Sequence, residues 1–376
     1  MDIVISERLR PYTHFSASYV ILPKTSFRLK IFPARIEIDD LSCYPEKPLC
    51  RISLTFAKVD LLEHFLVQQD LEKACVFISG KMGKEIVNFS ISSQEDRKGI
   101  TLSFKRVIGT FVSLTCSGKW SDNQTFTLNK GECISIGEMG ASSSIGIESA
   151  AFLPQIDRLS LGNNKQQDFD LIFRRGDFKE IFPLWHRLGQ LIPNNWPPTS
   201  CGTASLLKEC EKAIRASAKE HILKHFKRLF VAGFESTLSP SLLDTHYNGF
   251  PLPFVETAAS PLVLLTEGAK LIRSLFVQEA ENTLYILPSL PPEFHAGRLL
   301  NVKCELGFLS LEWTKKEIRR IKFYAVKDGL LNFHFASHEK SFAFWSCNGT
   351  TSHCQLTKMS IEVMANHCYW LYNFKR

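Results

Sequence analysis

Residues 260–313 read SPLVLLTEGAKLIRSLFVQEAENTLYILPSLPPEFHAGRLLNVKCELGFLSLEW, and this stretch decides how the chain divides. Ser260 can cap a helix and Pro261 suits its first position. Leu264, Leu265, Ala269, Ile272, Leu275 and Phe276 then recur at helical spacing. Glu281 and Asn282 break the period. A short β-type run, Leu284–Leu287, meets the rigid turn Pro288-Ser289-Leu290-Pro291-Pro292, and alternating strands follow. A helical region therefore ends, and a β region begins, across a proline corner.

Upstream, residues 1–148 alternate with the period of strands, as in Phe27-Leu29-Ile31, Ile36-Ile38, Ile52-Leu54-Phe56, Phe89-Ile91 and Leu102-Phe104. Turn residues such as Pro33, Gly80, Gly99, Gly118 and Gly131 separate the runs, which predicts a β-sandwich. Gly137–Gly146 (GEMGASSSIG) has the composition of a linker. Residues 149–283 change to helical spacing. Phe178, Ile181, Trp185, Leu188 and Leu191 form one stripe, with Pro183 as a helix start. Leu207, Cys210, Ile214, Ala218, Ile222, Phe226 and Leu229 form a longer one, with Gly233 where a C-terminal cap belongs. Residues 284–376 return to strand alternation in Leu309-Leu311-Trp313, Ile321-Phe323, Phe333-Phe335 and Phe342-Phe344. The expectation is a multidomain α+β chain: an N-terminal β-sandwich, an all-helical middle and a C-terminal β-sandwich.

Composition is that of a globular protein, 44% hydrophobic and 22% charged, with a net charge of +7. No apolar run is long enough to cross a membrane as a helix, and the charged N-terminus MDIVISERLRPYTH lacks the apolar core of a signal peptide. The 11 cysteines are odd in number and form no CxxC pair, so they read as reduced thiols and point to the cytoplasm. The tripeptides at Asn88, Asn123 and Asn348 match the glycosylation pattern by chance in that setting. The basic cluster Lys315, Lys316, Arg319, Arg320 and Lys322 reads as a solvated edge strand rather than a nucleic-acid face.

The order of helix, LPSLP corner and β-domain resembles the end of the catalytic barrel in (α/α)6-barrel glycoside hydrolases, the α-fucosidase family and its relatives. There a final barrel helix ends in an "LLQS"-like stretch, passes through a phrase close to "LLPALP", and enters a C-terminal β-sandwich. Leu275-Phe276-Val277-Gln278 and Ile286-Leu287-Pro288-Ser289-Leu290-Pro291 match that phrase, and Gly297, Leu311-Glu312-Trp313 and Ile321 fit the strands after it. The resemblance implies a carbohydrate ligand or substrate and no cofactor. It also implies a helical domain cut down from a full toroid, because the middle has room for about four to six helices of ordinary length.

Glycoside hydrolysis needs two carboxyl groups, one protonated to assist the leaving oxygen and one to activate water or attack. The resemblance directs attention to the loops before the last barrel helix, here Glu235 to Glu256. Glu235, Asp244 and Glu256 are the candidate catalytic acids, with Asp168 as a fourth. His246, Tyr247 and Asn248 are candidate substrate-binding residues, with Phe250 and Phe254 nearby. The family's base lies in an "IDGNFG"-like phrase. This chain has none, and an apolar residue falls at that position, so Asp244 or Glu256 would have to substitute. The same scaffold without catalysis would bind a glycan or a protein.

A second polar cluster runs from Asn163 through Asp168 and Asp170 to Arg174, Arg175 and Asp177. Asp168 and Arg174 could reach hydroxyl groups of a ligand. The simpler reading places Asp168 at the positive end of a helix, with salt bridges to the arginines. Trp185-His186-Arg187 adds aromatic surface, with Trp185 in the apolar stripe. Trp196, among prolines, is the candidate for an exposed stacking ring. His221 and His225, one helical turn apart, could bind zinc, but no third ligand is evident and an exposed helix face is the simpler reading. No phosphate loop, GxSxG elbow or dinucleotide fingerprint is present.

Overall fold

The computed structural model describes residues 2–56, 62–82, 85–108, 112–127, 131–145, 156–162, 165–336, 341–346, 351–355 and 360–375. Gly146, Asn163, Asn164, His338, Cys347 and Asn348 lie outside them, as does the sequence boundary near residue 148.

Two antiparallel sheets build the N-terminal region. One has seven strands, with Tyr12–Thr13 and Gly140–Ile145 at its edges. The other has six, with Ser18–Ile21 and Ser121–Thr127 at its edges. Leu29, Ile31, Ile36, Ile38 and Ile52 from the second sheet share one core with Val76, Ile78, Phe89, Ile91, Ile100 and Leu102 from the first. An alternating strand buries a single face, so two such sheets must pack those faces together.

Of the expected linker Gly137–Gly146, the described residues 137–145 belong to a hairpin instead. Glu132–Gly137 pairs with Gly140–Ile145, Ile136 opposite Ala141. Backbone ladder bonds do not depend on side chains, so a serine-rich segment can form an edge strand that exposes Ser142, Ser143 and Ser144.

The middle holds five α-helices among the described residues: α1 (Phe169–Arg175), α2 (Phe178–Leu191), α3 (Ser205–Arg215), α4 (Lys219–Gly233) and α5 (Val263–Ser274). It is not all-helical. Arg158–Ser160 joins the C-terminal sheet beside Arg298–Leu300, and Phe234–Glu235 pairs with Ser239–Pro240.

Three helix ends depart from expectation. Pro183 lies inside α2, which starts five residues earlier behind the Asp177 cap. Burial of Phe178, Ile181 and Phe182, with the Phe178 and Phe182 rings 4.9 Å apart, outweighs the lost backbone bond. The long stripe from Leu207 to Leu229 is two helices. Ser217 takes φ 49°, and the amides of Ala218 and Ser217 bond back to the carbonyls of Ala213 and Ile214. This is a Schellman stop with serine in glycine's usual place. Gly233 is the last residue of α4 and passes straight into extended Phe234 without a left-handed cap. Ser260 does cap the turn that opens α5: its Oγ accepts from Leu262 N–H at 3.2 Å and donates to the Leu41 carbonyl at 2.7 Å.

Close backbone approach packs α2 against α5. A Cβ on Gly189 would lie 2.3 Å from the Leu265 carbonyl oxygen, and one on Gly268 would lie 2.4 Å from the Trp185 ring. The C-terminal region has a seven-stranded sheet and a four-stranded one. Their inward residues, including Leu309, Leu311, Ile321, Phe323, Leu331 and Phe333, belong to the same core as the helices. The hairpin Val277–Ala280/Thr283–Ile286 straddles the change of period. The proline corner is keyed into that core: Ser289 Oγ donates to the Ile214 carbonyl at 3.1 Å, and Trp313 Nε1 donates to Phe294 O at 3.2 Å. No helix among the described residues is long and apolar enough to cross a membrane.

Candidate functional site

The connector between α4 and α5 is an irregular loop held at several points. Gly202 N–H donates to Pro253 O at 3.1 Å and Thr203 N–H to Leu242 O at 3.0 Å. Position 202 needs glycine on two counts: its φ is 49°, and a Cβ there would meet Leu242 O at 2.1 Å. These bonds fix the loop's course while leaving its tip in solvent.

The tip is a side-chain-closed turn. Asp244 Oδ2 accepts from Asn248 N–H at 2.8 Å and Oδ1 from Asn248 Nδ2 at 2.7 Å. Asn248 Nδ2 also donates to Val231 O at 3.2 Å, tying the turn to α4. Tyr247, at φ 51°, points outward and is 92% exposed. Its neighbour His246 packs at 6.3 Å from the Phe173 ring of α1. Phe250 lies under the Arg228 guanidinium at 5.0 Å, and Arg228 pairs with Glu209 at 2.6 Å. Phe254 is 89% exposed.

The structure thus brings Asp244, Tyr247 and Asn248 into one turn, with His246 reaching α1. Glu235 is half-buried in its own short hairpin opposite Ser239, and Glu256 is exposed near the far end of the connector. Among the described residues no hydrogen bond or ion pair joins any two of Glu235, Asp244, Glu256 and Asp168. Asp168 caps α1, its Oδ1 accepting from Asp170 N–H at 3.1 Å and Leu171 N–H at 3.2 Å. Arg174 is exposed and donates from Nε to Asp170 O at 3.3 Å.

Trp196 is not an exposed ring. It is half-buried against the central core, where its indole face gains more from packing than from water. Trp185, His186 and Arg187 are likewise buried rather than surface, at 0%, 1% and 5% exposure. His221 is exposed, and His225 Nδ1 lies 3.4 Å from Glu209 Oε2. Among the described residues no cluster of His, Cys, Asp and Glu is placed to hold a metal ion.

Sequence reasoning missed a buried charged junction. Asp157, His186, Arg187 and Arg273 meet where α2, α5 and both β regions converge. Arg273 Nε lies 3.2 Å from Asp157 Oδ2, and Arg187 Nη2 lies 4.0 Å from Glu72 Oε2. Arg158 Nη2 reaches Glu72 Oε1 at 3.1 Å. Burial pushes the Asp157 carboxyl up to about 6, against the pull of Arg273, and pushes His186 down to about 4. A signal existed in the sequence: His186 and Arg187 stand beside Trp185 and Leu188, on the buried side of a helix.

No family model matches the chain, and no curated protein matches it.

Proposed function

We propose that the chain is a cytoplasmic carbohydrate-binding protein on a shortened (α/α)6-glycosidase-like scaffold, engaging its glycan at the tip of the connector. The observation that carries the reading is the pair Tyr247 and Phe254, 92% and 89% exposed on a loop pinned by backbone hydrogen bonds. Large rings are kept in water at a cost, and flat amphipathic surfaces of this kind suit the apolar face of a sugar ring. Next to Tyr247, the His246 ring and the side-chain carbonyl of Asn248, whose N–H groups serve the turn, supply hydrogen-bonding groups. The order of β region, helices, proline corner and β region supports the scaffold.

Binding without turnover is favoured over hydrolysis by Asp244, whose two oxygens both serve the turn. The test is titration of an oligosaccharide panel with a reducing-end assay on the same samples. Tyr247→Ala and Phe254→Ala should each weaken binding about tenfold, as expected for loss of one stacked ring. Absence of binding across the panel defeats the reading. Turnover that Glu256→Gln or Asp244→Asn abolishes converts it to hydrolysis.

A further inference from the structure

The junction behind α2 holds two groups that share one unmet need. His186 Nδ1 lies 3.2 Å from the Ala269 carbonyl, and a carbonyl only accepts, so the proton is on Nδ1. Nε2 therefore carries a lone pair. It is buried and, among the described residues, has no hydrogen-bond partner. Asp157 Oδ2 lies 3.9 Å from it. With Asp157 ionised, two lone pairs face each other and no hydrogen lies between them.

We propose that Asp157 and His186 form a proton-operated latch: one proton taken up between them turns Asp157 from Arg273 toward His186. The protonated carboxyl then donates O–H to Nε2, satisfying the orphaned nitrogen after a shift of about 1 Å. Arg273 loses its carboxylate and keeps the Lys303 carbonyl, 2.6 Å from its Nη2.

Every element packed around the pair contributes a group to this balance. Arg273 comes from α5, and His186 and Arg187 come from α2. The Lys303 N–H and the Cys304 thiol come from the C-terminal sheet, and Glu72 and Arg158 sit beyond Arg187. Gln190 pins the Asp157 backbone, its Oε1 accepting from Asp157 N–H at 2.9 Å and its Nε2 donating to Asp157 O at 3.3 Å. The carboxyl can therefore turn while its backbone stays fixed. Because the latch spans α2, α5 and the edge of the C-terminal sheet, mild acid loosens α5 against that sheet. It does not depend on what the connector binds.

The direct test follows the carboxyl carbons of 13C-labelled aspartate by NMR in the wild-type protein. One aspartate should titrate with a midpoint near 6. Amide exchange over residues 269–276, corrected for intrinsic rate, should rise about tenfold from about pH 7.5 to about pH 5. Asp157→Asn, which donates permanently, should show the acid pattern at both pH values. Arg273→Gln should do the same if the asparagine variant fails to fold. No aspartate midpoint above about 5, or α5 exchange independent of pH in the wild type, overturns the latch.

Discussion

Trp185 Nε1 donates to the Leu264 carbonyl at 3.2 Å while its ring lies on Gly268, where a Cβ would come within 2.4 Å. One indole thus sets the spacing of α2 and α5. Gly268→Ala should destabilise by about 1–3 kcal/mol, overpacking exceeding the helix-propensity gain of about 1 kcal/mol. Urea unfolding followed by tryptophan fluorescence measures it, and a stability equal to wild type would show that the helices can separate without cost.

The buried pair predicts opposite pH slopes in two variants. Asp157→Asn leaves His186, whose folded value of about 4 lies below 6.5. Its contribution is present above 6.5 and lost as pH falls through 4. Stability should drop on acidification by up to about 1.4 kcal/mol per pH unit.

His186→Gln leaves Asp157, whose folded value of about 6 lies above 3.8. Its contribution is complete below 3.8 and lost as pH rises through 6, so this variant should weaken toward neutrality. In the wild type the pair holds one proton between about 4 and 6 whether folded or unfolded, and the two slopes cancel. Chemical denaturation at stepped pH separates the three cases.

Asp168→Ala removes the side-chain cap of α1. The loss should be about 1 kcal/mol, with glycan binding unchanged if Asp168 is purely a cap. A larger fall in binding than in stability would return Asp168 to the ligand site.

Asp244→Ala leaves the Asn248 N–H and Nδ2 without their shared acceptor in an exposed turn. Global stability should change by less than about 1 kcal/mol, while amide exchange at residues 244–249 accelerates and binding weakens through lost preorganisation. Unaltered exchange there would mean the backbone bonds alone hold the tip.

Much of the candidate site was legible only as composition. Tyr247, Asn248 and Phe254 stand out as aromatic and amide residues in a proline-rich loop, but their exposure follows from bonds to Gly202, Thr203 and Val231, distant in sequence. Trp196 shows the reverse: prolines around it suggested a surface ring, and the core behind it claimed the side chain.

The amino-acid sequence by itself determined element type wherever periodicity was strong, as in Phe27-Leu29-Ile31, the stripe from Phe178 to Leu191, and the proline corner after Ile286. Periodicity reports which face of a segment must leave water, a demand already present within a dozen residues. Tertiary structure alone decided the reversal at Ser217, the pairing of the serine-rich strand at Gly140–Ile145, and the burial of Asp157, His186 and Arg187. Those outcomes depend on which surfaces meet, and a side chain's desolvation and ionisation are set by neighbours that only the folded chain supplies.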